Sequence, residues 1–465
     1  MFPALLQCCS VYTFGGPICL QGNGCRVSIG NHCGNVEELD RSMKLSSVSL
    51  LVCLLAVAHQ VVKADDWPQY RGPDRTCVSR EQGLLKTWPT DGPTLLWTFH
   101  DAGVGFSPPA VVDGRLYTMG ARGVTDFLYA LDVTNGRELW AVPLGPIRPV
   151  GWGDGPCATP TVDGERMYAL TTWGDLYCVE TATGKKLWNV HLKEDLEGKV
   201  IHDGRYTESP LIDGDVLVCT PGGQLGTVAT FNKLTGEPLW RSKGLTDEAV
   251  SSSSIRVEIN GLPQYVNLTS QGVVGVAVAD GRLLWQSDIP AAWIMVAAPI
   301  CSDDCVFVTT AYGRGCGLLR LTRHGDSVVA EEVYRNKVMK NHHGGVLLVD
   351  GYVYGHSDPN GWVCLEFATG NEVWKERSQL GKGSLTCVDG HLYCYSEREG
   401  TVVLVEASPA GWHEKGRFTI PGQTKLPRNQ GQIWTPPVVA NGRLYLRDQD
   451  LLYCYDVREK TLVAE

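Results

Sequence analysis

Two carboxylates, a pair of adjacent histidines and several tryptophans are the residues with chemistry to offer. Asp154 sits in Gly151-Trp-Gly-Asp-Gly-Pro156, and Glu208 closes Tyr206-Thr-Glu208. Carboxylate oxygens ligate hard cations such as Ca²⁺, so Asp154 and Glu208 are the candidate metal ligands. His342 and His343 follow Asn341. Imidazole titrates near neutral pH and works as a base or a metal ligand. Asp154, Glu208 and His343 are therefore the candidate catalytic residues. Trp152, Tyr206, His342, Lys382, Arg428 and Trp434 combine aromatic faces with hydrogen-bond donors, and are the candidate ligand-binding residues. Neighbouring residues on a strand point to opposite faces, so one histidine of the pair is expected to reach a shared site. The competing explanation is structural: strands around a water-filled channel need polar side chains whatever the protein does.

These residues are brought together, if at all, by a repeat. One turn recurs eight times: Asp113-Gly114, Asp163-Gly164, Asp213-Gly214, Asn260-Gly261, Asp303-Asp304, Asp350-Gly351, Asp389-Gly390 and Asn441-Gly442. The spacings run from 39 to 52 residues. Asp-Gly and Asn-Gly suit type I′ hairpins, and each copy lies between β-rich stretches. A second landmark follows each hairpin, as in Ala130-Leu-Asp-Val-Thr-Asn-Gly-Arg-Glu-Leu-Trp140. Copies end at Trp188 and Trp374, and looser ones at Trp240 and Trp285, with Tyr334 in a Trp place. Each unit then holds four short strands, the size of a propeller blade. Thr94-Leu-Leu-Trp97-Thr-Phe99 stands before the first hairpin as an orphan strand, and the last unit supplies three strands. Pairing the two closes the ring and removes an exposed edge.

The expected fold is thus all-β: an eight-bladed β-propeller of four-stranded blades over residues 93–465, its ring closed by an N-terminal strand. Seven blades plus an irregular segment is the alternative, because the fifth and seventh copies are degenerate. Residues 65–92 are expected to pack over one face. Long connections (141–157, 189–207, 241–251, 335–342, 419–433) gather on the face opposite the Asp-Gly turns, and they carry most of the candidate site residues.

The pattern Ala-x-Asp-x-x-Thr-Gly-x-x-x-Trp, clearest at 130–140, 178–188 and 364–374, resembles the tryptophan-docking motif of pyrroloquinoline-quinone (PQQ) propellers. That superfamily contains the quinoprotein alcohol dehydrogenases and the assembly lipoprotein BamB. Segments 151–156, 341–345 and 446–450 are similar to exported bacterial proteins of the PQQ-like group. The resemblance implies a fold in which the motif staples blades together and does not bind the quinone. It implies two functions. One is a binding or scaffolding module for a protein, peptide or carbohydrate, acting through the long-loop face without a cofactor. The other is a PQQ- and Ca²⁺-dependent dehydrogenase of an alcohol or sugar. Departures count against the second: the family's adjacent Cys-Cys pair occurs here only at Cys8-Cys9, outside the propeller, and no Cys-x-x-Cys-His haem attachment is present.

Composition adds bounds. The chain has 465 residues and a formal net charge of −10, which leaves no basic excess for nucleic acid. Met43-Lys44, an apolar run to Ala58 and Val62-Lys-Ala64 have the layout of a secretory signal. Residues 43–64 are therefore expected to be a signal peptide, 1–42 upstream sequence that is not made, and the product an exported monomer, periplasmic or extracellular. Of 17 cysteines, Cys178, Cys364, Cys394 and Cys454 are expected at one small apolar place in the third strand. Cys301, Cys305 and Cys316 fall in one blade, and an exported protein allows a disulfide among them.

Overall fold

In the computed structural model, residues 66–201, 204–289 and 295–459 are described. The expected upstream segment and signal peptide lie outside them. The described residues contain strands and no α-helix, arranged as eight antiparallel four-stranded blades, one of which gains a short parallel fifth strand, Val78–Ser79. Blades 1 to 7 span 110–146, 161–191, 211–241, 255–287, 300–336, 346–376 and 383–419. Blade 8 takes three strands from 438–456 and its outer strand from Thr94–Phe99, which pairs with Leu451–Asp456. The ring closes as expected, with eight blades rather than seven.

The recurring turns explain the register. At 113–114, 260–261, 350–351, 389–390 and 441–442 both central residues have positive φ, the condition for type I′. At 163–164 and 213–214 the strand runs one residue further, so the loops are Gly164-Glu165 and Gly214-Asp215.

Every outer strand carries one extra residue relative to its neighbour. These residues are Leu96, Leu139, Leu187, Leu239, Leu284, Val333, Val373 and Lys415. Leu139 and Leu187 are 38% exposed and Leu239 52%. A bulge twists the edge away from foreign strands, so these exposed aliphatics belong to the bulge. It also sets the next residue, the repeat's aromatic, directly opposite a small third-strand residue: Trp140 on Ala130, Trp188 on Cys178, Trp374 on Cys364, Trp97 on Cys454.

From there each aromatic reaches the following blade. Trp140 Nε1 donates to Thr181 O (3.2 Å), Trp188 Nε1 to Lys233 O (3.2 Å) and Trp374 Nε1 to Ser408 O (2.9 Å). Trp97 of blade 8 donates to Val133 O of blade 1 (2.9 Å), and Tyr334 to Phe367 O (2.9 Å). The rings lie over the glycine of the receiving Thr-Gly or Asn-Gly turn, where a methyl group has no room: a Cβ on Gly184 would stand 2.7 Å from Trp140. Trp285 departs from the pattern. It donates to Gln264 of its own blade (2.6 Å), and blades 4 and 5 are joined instead by Arg282 to Asp326 O (2.7 Å) and Arg323 to Asn260 O (3.0 Å).

Arg447 completes the closure from inside. Its fully buried guanidinium donates to the carbonyls of Ser107, Met119, Ala102 and Gly103, which tie blade 8 to blade 1. Burying a charge is tolerable only with such saturation. Burial still lowers its pKa to about 10.

The N-terminal segment follows the expected course over one face only after residue 80, where Leu84 and Trp88 pack on blades 7 and 8. Residues 66–79 run inside the channel. Trp67 bridges Val111 of blade 1, and Val162 of blade 2 donates to Pro68 O. Arg75 donates to Ser209 O (2.8 Å) and Pro210 O (2.9 Å) before blade 3. Arg71 donates to Val346 O of blade 6 (2.6 Å), and Val78–Ser79 pairs with the inner strand of blade 7. This plug fills the axis with buried tryptophan and arginine, where a water-filled channel had been a competing expectation.

The cysteines follow the strands with one correction. Cys178, Cys364 and Cys454 lie on third strands, whereas Cys394 lies on the second strand of blade 7, His391–Ser396. That blade lacks the regular Trp-terminated repeat, so its Tyr-Cys pair does not mark the third strand. Cys301, Cys305 and Cys316 are all free thiols, so the disulfide that export would allow is not formed among them. Cys316 lies across from Asn336 and Thr309 rather than beside the other two.

The dock predicts a contrast between two glycines with positive φ. Gly164→Ala meets open space and costs about 1 kcal/mol for the left-handed backbone alone. Gly184→Ala also strikes the Trp140 ring, which adds about 1–3 kcal/mol. Urea denaturation of the two variants should show this order, and equal midpoints would contradict the docking account.

Candidate functional site

A cavity of about 340 Å³ opens on the long-loop face. The segments entering seven of the eight blades line it, and Tyr70 of the plug joins its wall. Trp152, Phe106 and Trp434 supply its broadest aromatic faces; Arg205, His342 and His343, with Tyr70, Tyr312 and Cys157, are its charged or titratable members. Phe106 and Trp434 pack with centroids 5.1 Å apart, and Trp434 meets His343 at 5.0 Å. Trp152 is 54% exposed.

Both histidines reach the cavity, against the expectation of one. Residues 341–345 are irregular and the strand starts at Val346, so strand alternation does not apply to them. Their ring centroids lie 4.6 Å apart with the planes tilted by 45°. His342 lies between Tyr312 OH (3.0 Å from Nε2) and Lys382 Nζ (2.8 Å from Nδ1). Burial, with the charges of His343 and Lys382, lowers its pKa to about 3. At neutral pH it is therefore an uncharged imidazole. The lysine ammonium donates to Nδ1, which places the ring proton on Nε2, toward the tyrosine oxygen. Lys382 also pairs with Asp358 (2.7 Å), which His356 approaches at 3.3 Å. Burial would raise the pKa of Asp358, but these two partners hold it well below the carboxylate range. His343 Nε2 stands 3.1 Å from Glu397 Oε2. Burial lowers the pKa of His343 and the Glu397 contact works against that.

The other candidates stand apart from the cavity wall. Asp154 accepts from the amides of Val150 (2.8 Å) and Gly151 (3.2 Å) and from Asn429 (2.7 Å). Burial opposes its charge, yet these bonds keep its pKa below the ordinary value. It shapes the loop that presents Trp152. Glu208 is 2% exposed and accepts from the Thr220 amide. Burial raises its pKa to about 7. Tyr206 is buried and donates to Pro221 O (2.9 Å). Arg428 pairs with Asp448 (2.8 Å) on the blade 7–8 loop.

A Ca²⁺ beside a quinone needs several oxygen ligands at once. Among the described residues no three His, Cys, Asp or Glu side chains converge in that way. Asp154 already spends its oxygens on the loop backbone and Asn429, and Glu208 points at Thr220. This donor set does not fit the ion.

Sequence reasoning missed Phe106, Arg205, Tyr312, Asp358 and Glu397. Asp358 and Glu397 follow second strands, at the turns toward third strands, a position that the search for inter-blade loops passed over. Arg205 adjoins Tyr206 and was hidden by it.

The fold is shared with solved quinoproteins. The quinohemoprotein alcohol dehydrogenase of Comamonas testosteroni superposes with a TM-score of 0.55 and 12% identity, over 86% of this chain and 82% of that one. The quinohemoprotein alcohol dehydrogenase ADH IIG of Pseudomonas putida HK5 gives 0.57 and 12%, over 87% and 82%. The computationally designed Ika8 protein gives 0.53 and 14%, over 78% and 100%. At such identity the likeness is one of fold. No curated protein matches the sequence significantly. A family model described as outer membrane protein assembly factor BamB matches residues 124–376, and the chain belongs to that PQQ-like repeat family.

Glu208 supplies a pH test. A pKa raised from 4.5 to about 7 means that the folded state keeps a proton which the unfolded chain releases. The stabilisation is full below pH 4.5 and is lost as pH rises through 7. Glu208→Gln keeps an acceptor for Thr220 and has no proton to release. Between pH 4.5 and 8 the parent should lose on the order of 3 kcal/mol that the variant retains. Parallel stability curves from urea titrations would contradict the assignment.

Proposed function

We propose that the chain is an exported binding or scaffolding propeller that takes a group of its protein, peptide or carbohydrate partner into the long-loop cavity. The observation that carries this is the cavity itself: an aromatic pit of about 340 Å³, within the range of small-ligand sites, built on rigid inner strands. Export is supported by the signal-like segment 43–64 and by the outer-membrane assembly description of the family. Among the described residues no helix is long and apolar enough to cross a membrane.

The hydrogen-bonded imidazole of His342 and the engaged carboxylates favour binding over turnover. A general base needs a pKa near the working pH; His342 in the cavity falls far below it, and Glu208, raised to about 7, is buried outside the cavity lining. The dehydrogenase reading is the alternative that the shared fold keeps in play. PQQ with Ca²⁺ added to the purified protein is expected to give neither saturable tryptophan quenching nor dye-linked alcohol oxidation. Both together would overturn the binding-module reading.

The direct test is tryptophan emission against a panel of oligosaccharides and peptides. At least one member should shift the emission saturably, and Trp152→Ala should weaken that binding tenfold or more while leaving the melting midpoint in place. A panel without binders, or binding indifferent to Trp152, refutes the proposal.

A further inference from the structure

We infer that the cavity reads a carboxylate, through Arg205, on an acidic oligosaccharide; this rests on the binding reading above. Arg205 lies in the cavity wall with its guanidinium 5.8 Å from the Phe106 ring centroid. One of its five donors goes to Gly153 O. Among the described residues it forms no ion pair, and every other cation placed around the site here is committed. Lys382 holds Asp358, Arg428 holds Asp448, and Arg71, Arg75 and Arg447 are spent on carbonyls.

The acids that feel the charge of Arg205 do not pair with it. Asp154 is held by two amides and Asn429. Asp126 is fully buried, and neither of its oxygens has a donor. Burial raises its pKa to about 7. A planar guanidinium beside an aromatic wall, with donors to spare, matches a carboxylate in bidentate geometry.

The rest of the lining selects the carrier. Thr207, Ser251 and Ser253 line the cavity; the Thr207 hydroxyl donates to Ser251 O (3.4 Å) and the Ser253 hydroxyl accepts from the Ser209 amide (3.0 Å), a polar wall suited to sugar hydroxyls. Exposed Trp152 and the Phe106–Trp434 pair offer apolar faces for the flat side of a sugar ring. A peptide binding by strand addition would need a free inner edge. The plug already pairs along blade 7 and bridges blade 1.

Calorimetry with trigalacturonate, maltotriose and pentaglutamate tests the inference. Trigalacturonate should bind saturably, with maltotriose at least tenfold weaker. Arg205→Gln should lower trigalacturonate affinity tenfold or more without changing that for maltotriose. If this variant also lowers the melting midpoint, Arg205→Lys replaces it, with an intermediate loss expected because the charge stays and the fork goes. Equal affinity for both sugars, indifferent to Arg205, removes the carboxylate and leaves the cavity as a binding site. No binding of trigalacturonate at millimolar concentration, or preferred binding of pentaglutamate, overturns the inference, while Trp152→Ala against the wider panel judges the binding reading separately.

Discussion

The structure hangs on a tryptophan set over the glycine of the next blade. A propeller blade buries its faces only against its neighbours, so the ring stands or falls with the blade-to-blade contact. The bulge before each aromatic, the small residue opposite it and the glycine beneath it are three parts of one device. Ala130, Trp140 and Gly184 form one complete instance. The bulge thus serves two ends: it aims the ring at the neighbour and spoils the outer edge for foreign strands. Trp97 makes the same contact across the closure, with Arg447 holding the joint from within.

Rigidity at the rim is what permits irregularity at the centre. The long connections carry no regular pairing of their own, yet they converge because every inner strand is fixed. The plug adds a second constraint. Arg71 and Arg75 hold it to blades 6 and 3, and Tyr70 reaches the cavity lining. What would be an open pore becomes a pit, and a pit has a bounded set of ligands. Behind its polar side a chain of hydrogen bonds runs from Tyr312 through His342 to Lys382 and Asp358.

The ring was legible because turns and docking residues repeat. Asp-Gly turns announce a hairpin locally, and a tryptophan spaced by one blade announces the staple. The site was legible only in part. Trp152, His342, His343 and Trp434 lie in the long loops or adjoin them, and all four line the cavity. Asp154 and Glu208 looked like ligands by type, but their surroundings decide otherwise: one caps a loop and the other is buried under Thr220. Asp358 and Glu397 hold the same place after the second strands of successive blades, whereas Arg205 comes from an inter-blade loop, so only the folded ring brings the three to one site. The plug was invisible for a similar reason, since 66–79 has neither a helical nor an alternating period.

The central claim is that the long-loop cavity, and not the Asp-Gly face, is where this propeller meets its ligand. Hydrogen exchange with and without saturating trigalacturonate tests it most directly. The account predicts added protection in 148–157, 204–209 and 339–345, with the Asp-Gly turns unchanged. Protection confined to those turns, or to the outer strands, would contradict it.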